Sequence, residues 1–525
     1  MTRPTLTDAE RWTPDALREA ADAWDAAAAD VHAGVEIAVQ GVDASREFWT
    51  GSAAEAARRH ALDVGRASDA VARATVMAAV AARDGADQIA AAQAKVLTRV
   101  ADARADGFAV SDDGTVVAPP ASPLLVALSG GDGAVAGDLL ALRAAELTRQ
   151  IGADLDRLGE ADRDAAADIE EAFTLPADRP APTTPAGAWP VSAADVVAGW
   201  SAMKQDRIAE QIAAMTPDQR ERLIAEFPRQ VGNTDGVPWG MRIAANRVNI
   251  AQAIVDADEK GRVAFYRGLL GEIDDPTGGG RRVDRQILAF DPAMATLVEL
   301  NGNPSTARSL AVFVPGLNTT IEGSAANTQT ARRFVSATRG DVAAITYLGG
   351  PFPRGNLVSG VVDAADPWYA LDMAPRLVAF SEDVERTAQS IPVTYVGHSY
   401  GGSILGTAEA LGMTADRTLY LAAAGAGVGV DDPGDWHNRN PHVLRFSMTA
   451  PGDLIQAVQG IPGGPHGADP DQMPGVIPLT TGLYDDGRLM AGPDAHTDVV
   501  NWPSDSWRNI LAVITGDSET LHKAG

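Results

Sequence analysis

The sequence predicts a mostly parallel β-sheet flanked by helices, preceded by an all-α helical hairpin or bundle. Three observations predict this arrangement. In the first third of the chain, apolar residues recur at helical spacing. After the glycine-rich stretch that ends at Gly280, short apolar and β-branched runs are joined first by tight turns and then by helical patterns. Around Ser399, a buried-strand pattern passes through a glycine-rich turn into a helix.

Length and composition limit the classes of protein and of partner that fit this chain. With 525 residues, the chain is too long for one ordinary core, and two or three domains are expected. The formal net charge of −27 argues against nucleic acid and anionic membranes as primary partners. The absence of cysteine excludes disulfides, thiol catalysis and cysteine metal sites. No stretch approaches the ~20 apolar residues of a membrane span, so no transmembrane segment is expected.

Two long helices are predicted at the start of the chain. Thr13–Asp15 combines a cap, a first-turn proline and an acid that the helix dipole favours. Apolar positions from Leu17 to Val35 then form a packing seam. We interpret Ser52–Glu55 as a capping box that begins the second helix, which leaves Trp49–Gly51 in the turn. The two helices are therefore predicted to form a hairpin.

The Trp-x-Gly at this bend resembles the WXG family of small proteins handled by type VII secretion systems. The resemblance covers about the first hundred residues, and it implies a helical-hairpin protein as a partner. The family's export companion, Tyr-x-x-x-Asp or Tyr-x-x-x-Glu, is absent, because none of the seven tyrosines has an acid four places on. Met1–Glu10 has no apolar core region, so a conventional signal peptide is not expected. We expect a cytoplasmic protein, or one exported without such a peptide, with a type VII route as one possibility.

The predicted domain boundaries follow changes in composition and periodicity. Prolines cluster after the last helix of the bundle and predict a linker. A further helical segment leads into the sheet region and ends in the glycine-rich joint Asp274–Gly280. The boundaries are 1–175 for the helical bundle, 176–192 for the linker, 193–280 for the helical lead-in and 281–525 for the α/β domain.

The sheet region is predicted to begin with three strands joined by tight turns. These turns are short, which predicts that the first three strands are antiparallel neighbours. Later strands are separated by helices. The predicted strands are 286–290, 295–300, 310–314, 342–347, 393–396, 418–423 and 443–448, and the helices between and after them are 369–388, 403–411 and 507–515.

The turn Gly397–Gly401, Gly-His-Ser-Tyr-Gly, places Ser399 between a predicted strand and a predicted helix. A serine on so tight a turn has strained backbone and an outward hydroxyl, and larger side chains at Gly397 and Gly401 would collide with strand and helix. This unit resembles the nucleophile elbow of the α/β-hydrolase family, and the resemblance covers about 281–525. The pattern alone can arise by chance in a chain with 52 glycines, and a structural turn serine is the alternative.

The resemblance implies a catalytic triad in which an acid and then a histidine follow the serine. His496 lies in a loop before the closing helix, where the family's base resides, and His466 and His437 are the alternatives. Asp453 lies just beyond the strand that ends at Met448, at the sheet edge where parallel strands gather catalytic groups. The alternative acids follow the preceding strand; they are Asp431, Asp432 and Asp435.

Two backbone amides are candidate donors to the oxyanion of the reaction. One belongs to Tyr400, the residue after the nucleophile. By resemblance, the other belongs to Leu317, in the loop after the third strand. Many relatives carry His-Gly where this chain has Pro315-Gly316, a departure that keeps the glycine turn.

No cofactor or metal is predicted. Gly425–Gly429 follows a strand, but it lacks the third glycine of a dinucleotide fingerprint, so we interpret it as a small-residue turn. The sequence has no phosphate-binding Gly-Lys-Ser or Gly-Lys-Thr. His32 and His60 lie in different helices without metal-ligand spacing.

The predicted function is that of a serine hydrolase that cleaves a small-molecule carboxylic ester or thioester through an acyl-enzyme. Apolar and aromatic residues of the loop 349–368 are candidates for an acyl pocket; they are Phe352, Leu357, Val358 and Trp368. The alternative hypothesis is a type VII secretion-linked effector or adaptor whose helical region binds a partner, with the hydrolase fold as cargo.

Overall fold

The computed structural model describes residues 3–173, 192–355, 366–389, 391–459, 461, 464–501 and 503–523. The predicted linker 176–192 lies outside these residues except for Ser192. The chain forms two compact units: residues 1–184 with 251–271, and residues 185–250 with 272–525. These units group 185–250 with the sheet and 251–271 with the helical region, whereas the sequence suggested a single lead-in over 193–280.

The first unit is built on three long helices. The helices are amphipathic, and where they pack they bury alanine and branched aliphatic side chains. These buried side chains form the core of the unit. The segment between the second and third long helices contains a two-residue β-ladder of β1 (Ala109–Val110) with β2 (Val116–Val117). The helices are α1 (Leu6–Arg11), α2 (Pro14–Ala44), α3 (Ser52–Ala105), α4 (Pro123–Leu128) and α5 (Gly133–Phe173).

The turn between α2 and α3 contains Trp49–Gly51, as predicted, but the helix start differs from the prediction. Ser52 is the first helical residue, and Gly51 is the cap, with no side-chain hydrogen bond to the helix. The capping box at Ser52–Glu55 is therefore wrong. Gly51 has a φ of 108°, a conformation that glycine adopts freely, so the glycine and not the serine sets the bend.

The second unit begins with short helices that have a core of their own. Thr216 caps one of them in a capping box with Gln219, and that helix ends before Phe227. The helices in this part of the chain are α6 (Ala193–Gly199), α7 (Gln205–Ala213), α8 (Pro217–Glu226), α9 (Pro228–Asn233), α10 (Trp239–Val255) and α11 (Lys260–Leu270). The last residues of α10 and all of α11 lie in the segment 251–271, which belongs to the first unit. A hairpin of β3 (Glu272–Asp274) and β4 (Arg282–Asp284) occupies the joint that the glycines predicted.

An eight-stranded sheet forms the centre of the second unit. Its strands are β5 (Gln286–Asp291), β6 (Thr296–Asn301), β7 (Ser309–Val314), β8 (Val342–Gly349), β9 (Val393–His398), β10 (Arg417–Leu421), β11 (Leu444–Met448) and β12 (Val476–Pro478). The helices that accompany them are α12 (Ala325–Ala337), α13 (Trp368–Thr387), α14 (Tyr400–Ala410), α15 (Ala495–Asn501) and α16 (Asp505–Thr515). Their apolar faces cover the buried strands.

The strand order is β12-β11-β10-β9-β7-β8-β6-β5. Strand β6 pairs antiparallel with β5 and β8, and the other pairs are parallel. The prediction that β6 and β7 are antiparallel neighbours is therefore wrong, because β8 lies between them. The seven residues 302–308 suffice for this crossing, since each residue spans up to ~3.3 Å and strands lie ~4.8 Å apart.

Side chains from the preceding helices bond to the outer edge of β5. Arg242 Nε donates to the carbonyl of Leu288 over 2.8 Å, and Asn246 donates to that of Ile287 over 3.1 Å. The side chain of Asn233 both accepts from the backbone of Phe290 and donates to it. These amide and guanidinium groups satisfy backbone groups that an edge strand otherwise leaves open.

A buried ionic cluster joins the same helices to α13. The carboxylate of Asp383 accepts from Arg242 at 2.9 Å, from the indole of Trp239 at 2.8 Å and from the backbone of Gly236 at 3.0 Å. Arg242 also pairs with Asp235 at 2.8 Å. Burial raises the pKa of Asp235 despite the nearby guanidinium. The helices 192–250 are therefore bonded into the sheet domain rather than merely leading to it.

Candidate active site

The turn at Ser399 has the geometry that its sequence predicted. Ser399 follows β9 and precedes α14, with φ 57° and ψ −122°. A Cβ placed at Gly401 would lie 2.1 Å from the carbonyl oxygen of Val314, and one at Gly397 would lie 2.6 Å from that of Gly401. Only glycine fits where strand and helix approach this closely.

Ser399, Asp453 and His496 lie within hydrogen-bonding distance of one another. Nε2 of His496 is 2.9 Å from Oγ of Ser399. Nδ1 of His496 is 2.9 Å from Oδ2 and 3.1 Å from Oδ1 of Asp453. None of the three residues is more than 6% exposed. The structure thus brings together the three side chains that the sequence analysis selected.

The loops that carry Asp453 and His496 are tied to each other. Asp453 follows β11 and caps a short 3-10 helix, with Oδ1 accepting from the backbone of Ile455 at 2.9 Å. His496 is the second residue of α15. Between these loops, the backbone of Gly492 donates to the carbonyl of Pro451 over 2.8 Å. This bond links the loop that carries the acid to the loop that carries the imidazole.

The hydrogen bonds define a tautomer for His496. An ionised carboxylate only accepts, so Nδ1 of His496 carries the proton that Asp453 binds. Nε2 then has a free lone pair directed at the hydroxyl of Ser399. This arrangement lets the imidazole withdraw a proton from Ser399 and become an imidazolium beside a buried carboxylate.

The turn after β7 lies against Ser399. A Cβ placed at Gly316 would lie 2.6 Å from Cβ and 3.0 Å from Oγ of Ser399, so any other residue would crowd the hydroxyl. Within the described residues, the N–H groups of Leu317 and Tyr400 have no hydrogen-bond acceptor. For Tyr400 the reason is general, since the first amides of a helix lack an intrahelical partner. Asn318 holds the loop through bonds to Pro353 and Gly355.

The alternative residues from the sequence have other contacts. Nδ1 of the buried His466 lies 2.9 Å from Oγ of Ser403, on α14. Asp432 caps a 3-10 helix, and Asp435 accepts from the backbone of Asp431 and Asp432. These carboxylates serve local turns. The imidazole of His496 instead contacts Asp453 and Ser399, and its backbone oxygen lies 2.8 Å from His398.

Sequence reasoning missed His398, the residue before the nucleophile. Its Nε2 lies 2.8 Å from the backbone oxygen of His496, and both residues are buried. Burial and then the neighbouring His496 lower the pKa of His398 to about 4. The sequence contained a signal for it. Side chains two residues apart on a strand face the same side of the sheet, so His398 in β9 faces the same side as the core residue Val396.

Aromatic side chains lie beside the elbow. The ring of Tyr400 is 6.3 Å from that of Tyr369, edge to face, and its hydroxyl donates to the carbonyl of Asp366. Of the predicted acyl-pocket residues, Phe352 is buried and Trp368 is partly exposed. Leu357 and Val358 lie outside the described residues.

The turn Gly425–Gly429 packs tightly rather than opening a binding site. A Cβ placed at Gly406 of α14 would lie 1.7 Å from the carbonyl oxygen of Ala426, and one at Gly425 would lie 2.3 Å from that of His466. Small residues are needed here because the backbones approach closely.

No helix among the described residues is both long and apolar enough to cross a membrane.

Part of the chain is similar to known proteins. Residues 291–462 match a family model described as alpha/beta hydrolase. Two uncharacterized proteins of Mycobacterium tuberculosis, MT2140 and Rv2079, are each 29% identical in an alignment 259 residues long that covers 40% of this chain. The chain spans 38% of the length of these curated relatives.

Solved structures with detectable similarity include two named hydrolases. A dienelactone hydrolase from Anabaena variabilis is 16% identical, with a TM-score of 0.22, over 41% of this chain and 94% of the other. A thermostable esterase from Pseudomonas putida is 10% identical, with a TM-score of 0.19, over 52% of this chain and 82% of the other. The family match, together with the strand order and the turn at Ser399, identifies the sheet-containing part of this chain as an α/β-hydrolase fold.

Proposed function

We propose that this chain is a serine hydrolase in which Ser399 is the nucleophile, His496 the base and Asp453 the residue that orients the base. The observation that supports it is the pair of 2.9 Å contacts through one imidazole, from Ser399 Oγ to Nε2 and from Nδ1 to Asp453. A hydroxyl is a weak nucleophile until a base removes its proton, and this arrangement supplies the base.

The reaction proceeds in two halves. Nε2 of His496 takes the proton of Ser399 as Oγ attacks the carbonyl carbon, and the imidazolium then protonates the departing alcohol or thiol. An acyl-enzyme ester on Ser399 remains. Water, deprotonated by His496, attacks this ester and releases the acid, while Ser399 regains its proton from His496.

The N–H groups of Tyr400 and Leu317 are the proposed oxyanion donors. They flank the position that the carbonyl oxygen occupies during attack, because Tyr400 follows the nucleophile and the Gly316 turn lies against Ser399. Donors of this kind act on charge that develops only in the transition state.

The proposed substrate is a small carboxylic ester or thioester. The aromatic rings of Tyr369 and Tyr400 beside the elbow favour an apolar acyl group. The nucleophile, base, acid and oxyanion donors already described are sufficient for ester hydrolysis. We propose an ester or thioester rather than an amide by analogy with other proteins of this fold.

Covalent labelling tests the nucleophile. A fluorophosphonate probe should label the folded protein at a single serine, and Ser399→Ala should abolish labelling. Ser336→Ala, an exposed serine on α12, is the matched control and should be labelled like the wild type. A folded wild-type protein that remains unlabelled, or a Ser399→Ala variant that is still labelled, would contradict the proposal.

A second candidate function concerns the helical hairpin. At and near its bend, large apolar side chains face solvent: Phe48 is 82% exposed, Ile37 71% and Trp49 42%. Contiguous exposed apolar groups mark interaction surfaces, and Phe48 and Trp49 are neighbours at this bend. We propose that this end binds a helical-hairpin protein, in keeping with the WXG-like bend and a type VII-linked effector or adaptor role.

A pull-down tests the second candidate. Capture of a helical-hairpin partner should be lost on Trp49→Ala and on Gly51→Ala. Val117→Ala, which removes an exposed apolar residue elsewhere in the same unit, should leave capture unchanged. Secretion that is unaltered in a strain lacking type VII secretion would remove the export part of this proposal.

A further inference from the structure

The imidazole of His398 lies between the sheet and the proposed base. Its Nε2 is 2.8 Å from the backbone oxygen of His496, and the two ring centroids are 5.2 Å apart. The ring of His398 also stacks on Phe313 at a centroid distance of 6.5 Å. His398 therefore connects β7 and β9 to the first turn of α15.

The direction of the hydrogen bond follows from the acceptor. A carbonyl oxygen only accepts, so Nε2 of His398 must donate. The lowered pKa of His398, about 4, keeps its ring neutral near neutral pH. Neutrality suits this position because His496 gains a positive charge during the proposed reaction, and a second charge so close would oppose that step.

The main chain around His496 makes bonds within its own loop and helix. It lies at the start of a seven-residue helix, and its own N–H donates to Pro493 over a long 3.3 Å. The loop before it turns at Gly492, which has a φ of 86°. The bond from His398 adds a point of attachment to the rigid sheet, beside the contacts of the ring with Ser399 and Asp453.

We infer that His398 is a positioning residue: its Nε2–H···O=C bond holds the main chain of His496 where the imidazole reaches Oγ of Ser399. This inference rests on the proposed function. A shift of 1 Å in a catalytic group can cost about 10²-fold in rate, so loss of one backbone anchor has a measurable effect. The alternative is a core histidine that uses the carbonyl only to satisfy its own N–H.

Three substitutions at His398 separate these roles. His398→Gln keeps an amide donor at the position of Nε2, His398→Asn places the donor one bond shorter, and His398→Met fills space without a donor. With p-nitrophenyl butyrate, kcat of His398→Gln should stay within about 3-fold of wild type. His398→Asn and His398→Met should lose on the order of 10–100-fold in kcat with KM changed less than about 3-fold. The exposed His442→Gln is the control and should match wild type.

Two results would overturn the inference while the proposed function stands: wild-type kcat in His398→Met, or equal losses in His398→Gln and His398→Asn. If His398→Met does not fold, the Gln and Asn variants decide. A wild-type protein that neither cleaves the ester nor takes up fluorophosphonate would instead contradict the proposed function. A crystal structure of His398→Met or His398→Asn then decides the positioning role, since an unchanged 2.9 Å contact between His496 and Ser399 would refute it.

Discussion

At Ser399 the backbone adopts φ 57° and ψ −122°, which a residue with a side chain adopts only at a cost. The surrounding structure enforces it. The backbone of Ser399 donates to Leu421, and its carbonyl accepts from Gly402 and Ala424. These bonds to β10 and to the strand–helix turn hold the hydroxyl beside His496. The backbone strain is thus confined to Ser399, and hydrogen bonds to neighbouring segments hold the residue in this conformation.

Removal of the carboxylate that orients His496 tests the residue scale. Asp453→Asn should lower kcat on p-nitrophenyl butyrate by about 10⁴. The amide of the new asparagine can donate to Nδ1 of His496, which leaves the imidazole proton on Nε2, and an Nε2 that carries a proton cannot take one from Ser399. Steady-state kinetics measure this. Asp435→Asn, an acid from the alternative set that caps a turn, is the control and should keep kcat within about 3-fold. Equal effects of the two variants would argue against the role of Asp453.

Acidification should destabilise the protein through His398. Its pKa is lowered from 6.5 to about 4 by burial and by His496, with Asp453 the one nearby charge that opposes this. Between these values the unfolded chain binds the proton more readily than the folded protein, so folding free energy is lost as pH falls. In His398→Gln this loss is absent. When the pH is lowered from about 7.5 to about 4.5, the wild type should therefore lose about 2–3 kcal/mol more unfolding free energy than His398→Gln.

Urea titrations at the two pH values measure that shift. The other side chains of the site are the same in both proteins, so the difference reports on residue 398. A constant difference across this pH range would mean that His398 titrates normally in the folded protein.

At the scale of elements, the outer strand β5 depends on side chains that precede it in the chain. Asn233, Arg242 and Asn246 bond to its backbone, while Arg242 also pairs with the buried Asp383 on α13. One helix thus protects a sheet edge and neutralises a buried carboxylate. This explains why 192–250 forms a compact unit with the sheet.

Arg242→Met should therefore lower the free energy of unfolding by about 3–5 kcal/mol, because it removes one of the two guanidinium groups that pair with the buried Asp383, the other being that of Arg386, and also the partner of Asp235. Arg207→Met, which breaks an exposed pair with Glu210, should cost less than about 1 kcal/mol. Denaturant titration of both variants gives the comparison. A loss of similar size in the two variants would show that the cluster around Asp383 contributes little.

At the scale of the whole molecule, the same contacts define which piece of the chain can fold as the sheet domain. A fragment over 281–525 lacks Asn233, Trp239 and Arg242, so it should lose cooperative unfolding and fluorophosphonate labelling. A fragment over 192–525 retains them and should keep both properties. Circular dichroism on heating and gel-based labelling measure the two outcomes. A folded, labelled 281–525 fragment would show that the helices before the sheet are dispensable.

Much of the fold was predictable because it depends on local rules. Strand and helix periods acted over a few residues, and they located the strand–turn–helix at Ser399, the hairpin bend at Trp49–Gly51 and the helical first unit. Glycine sterics at Gly397 and Gly401 required no knowledge of the rest of the chain beyond an adjacent strand and helix. The order serine, acid, histidine likewise came from the sequence by resemblance to a family.

Only the tertiary structure decided the contacts between distant segments. It inserted β8 between β6 and β7, brought the imidazole of His496 to a serine 97 residues away, and placed His398 against the backbone of His496. It also directed Arg242 to a strand edge and to Asp383. Periodicity cannot specify such pairings, because each depends on how whole elements pack once their buried faces and unsatisfied polar groups are matched.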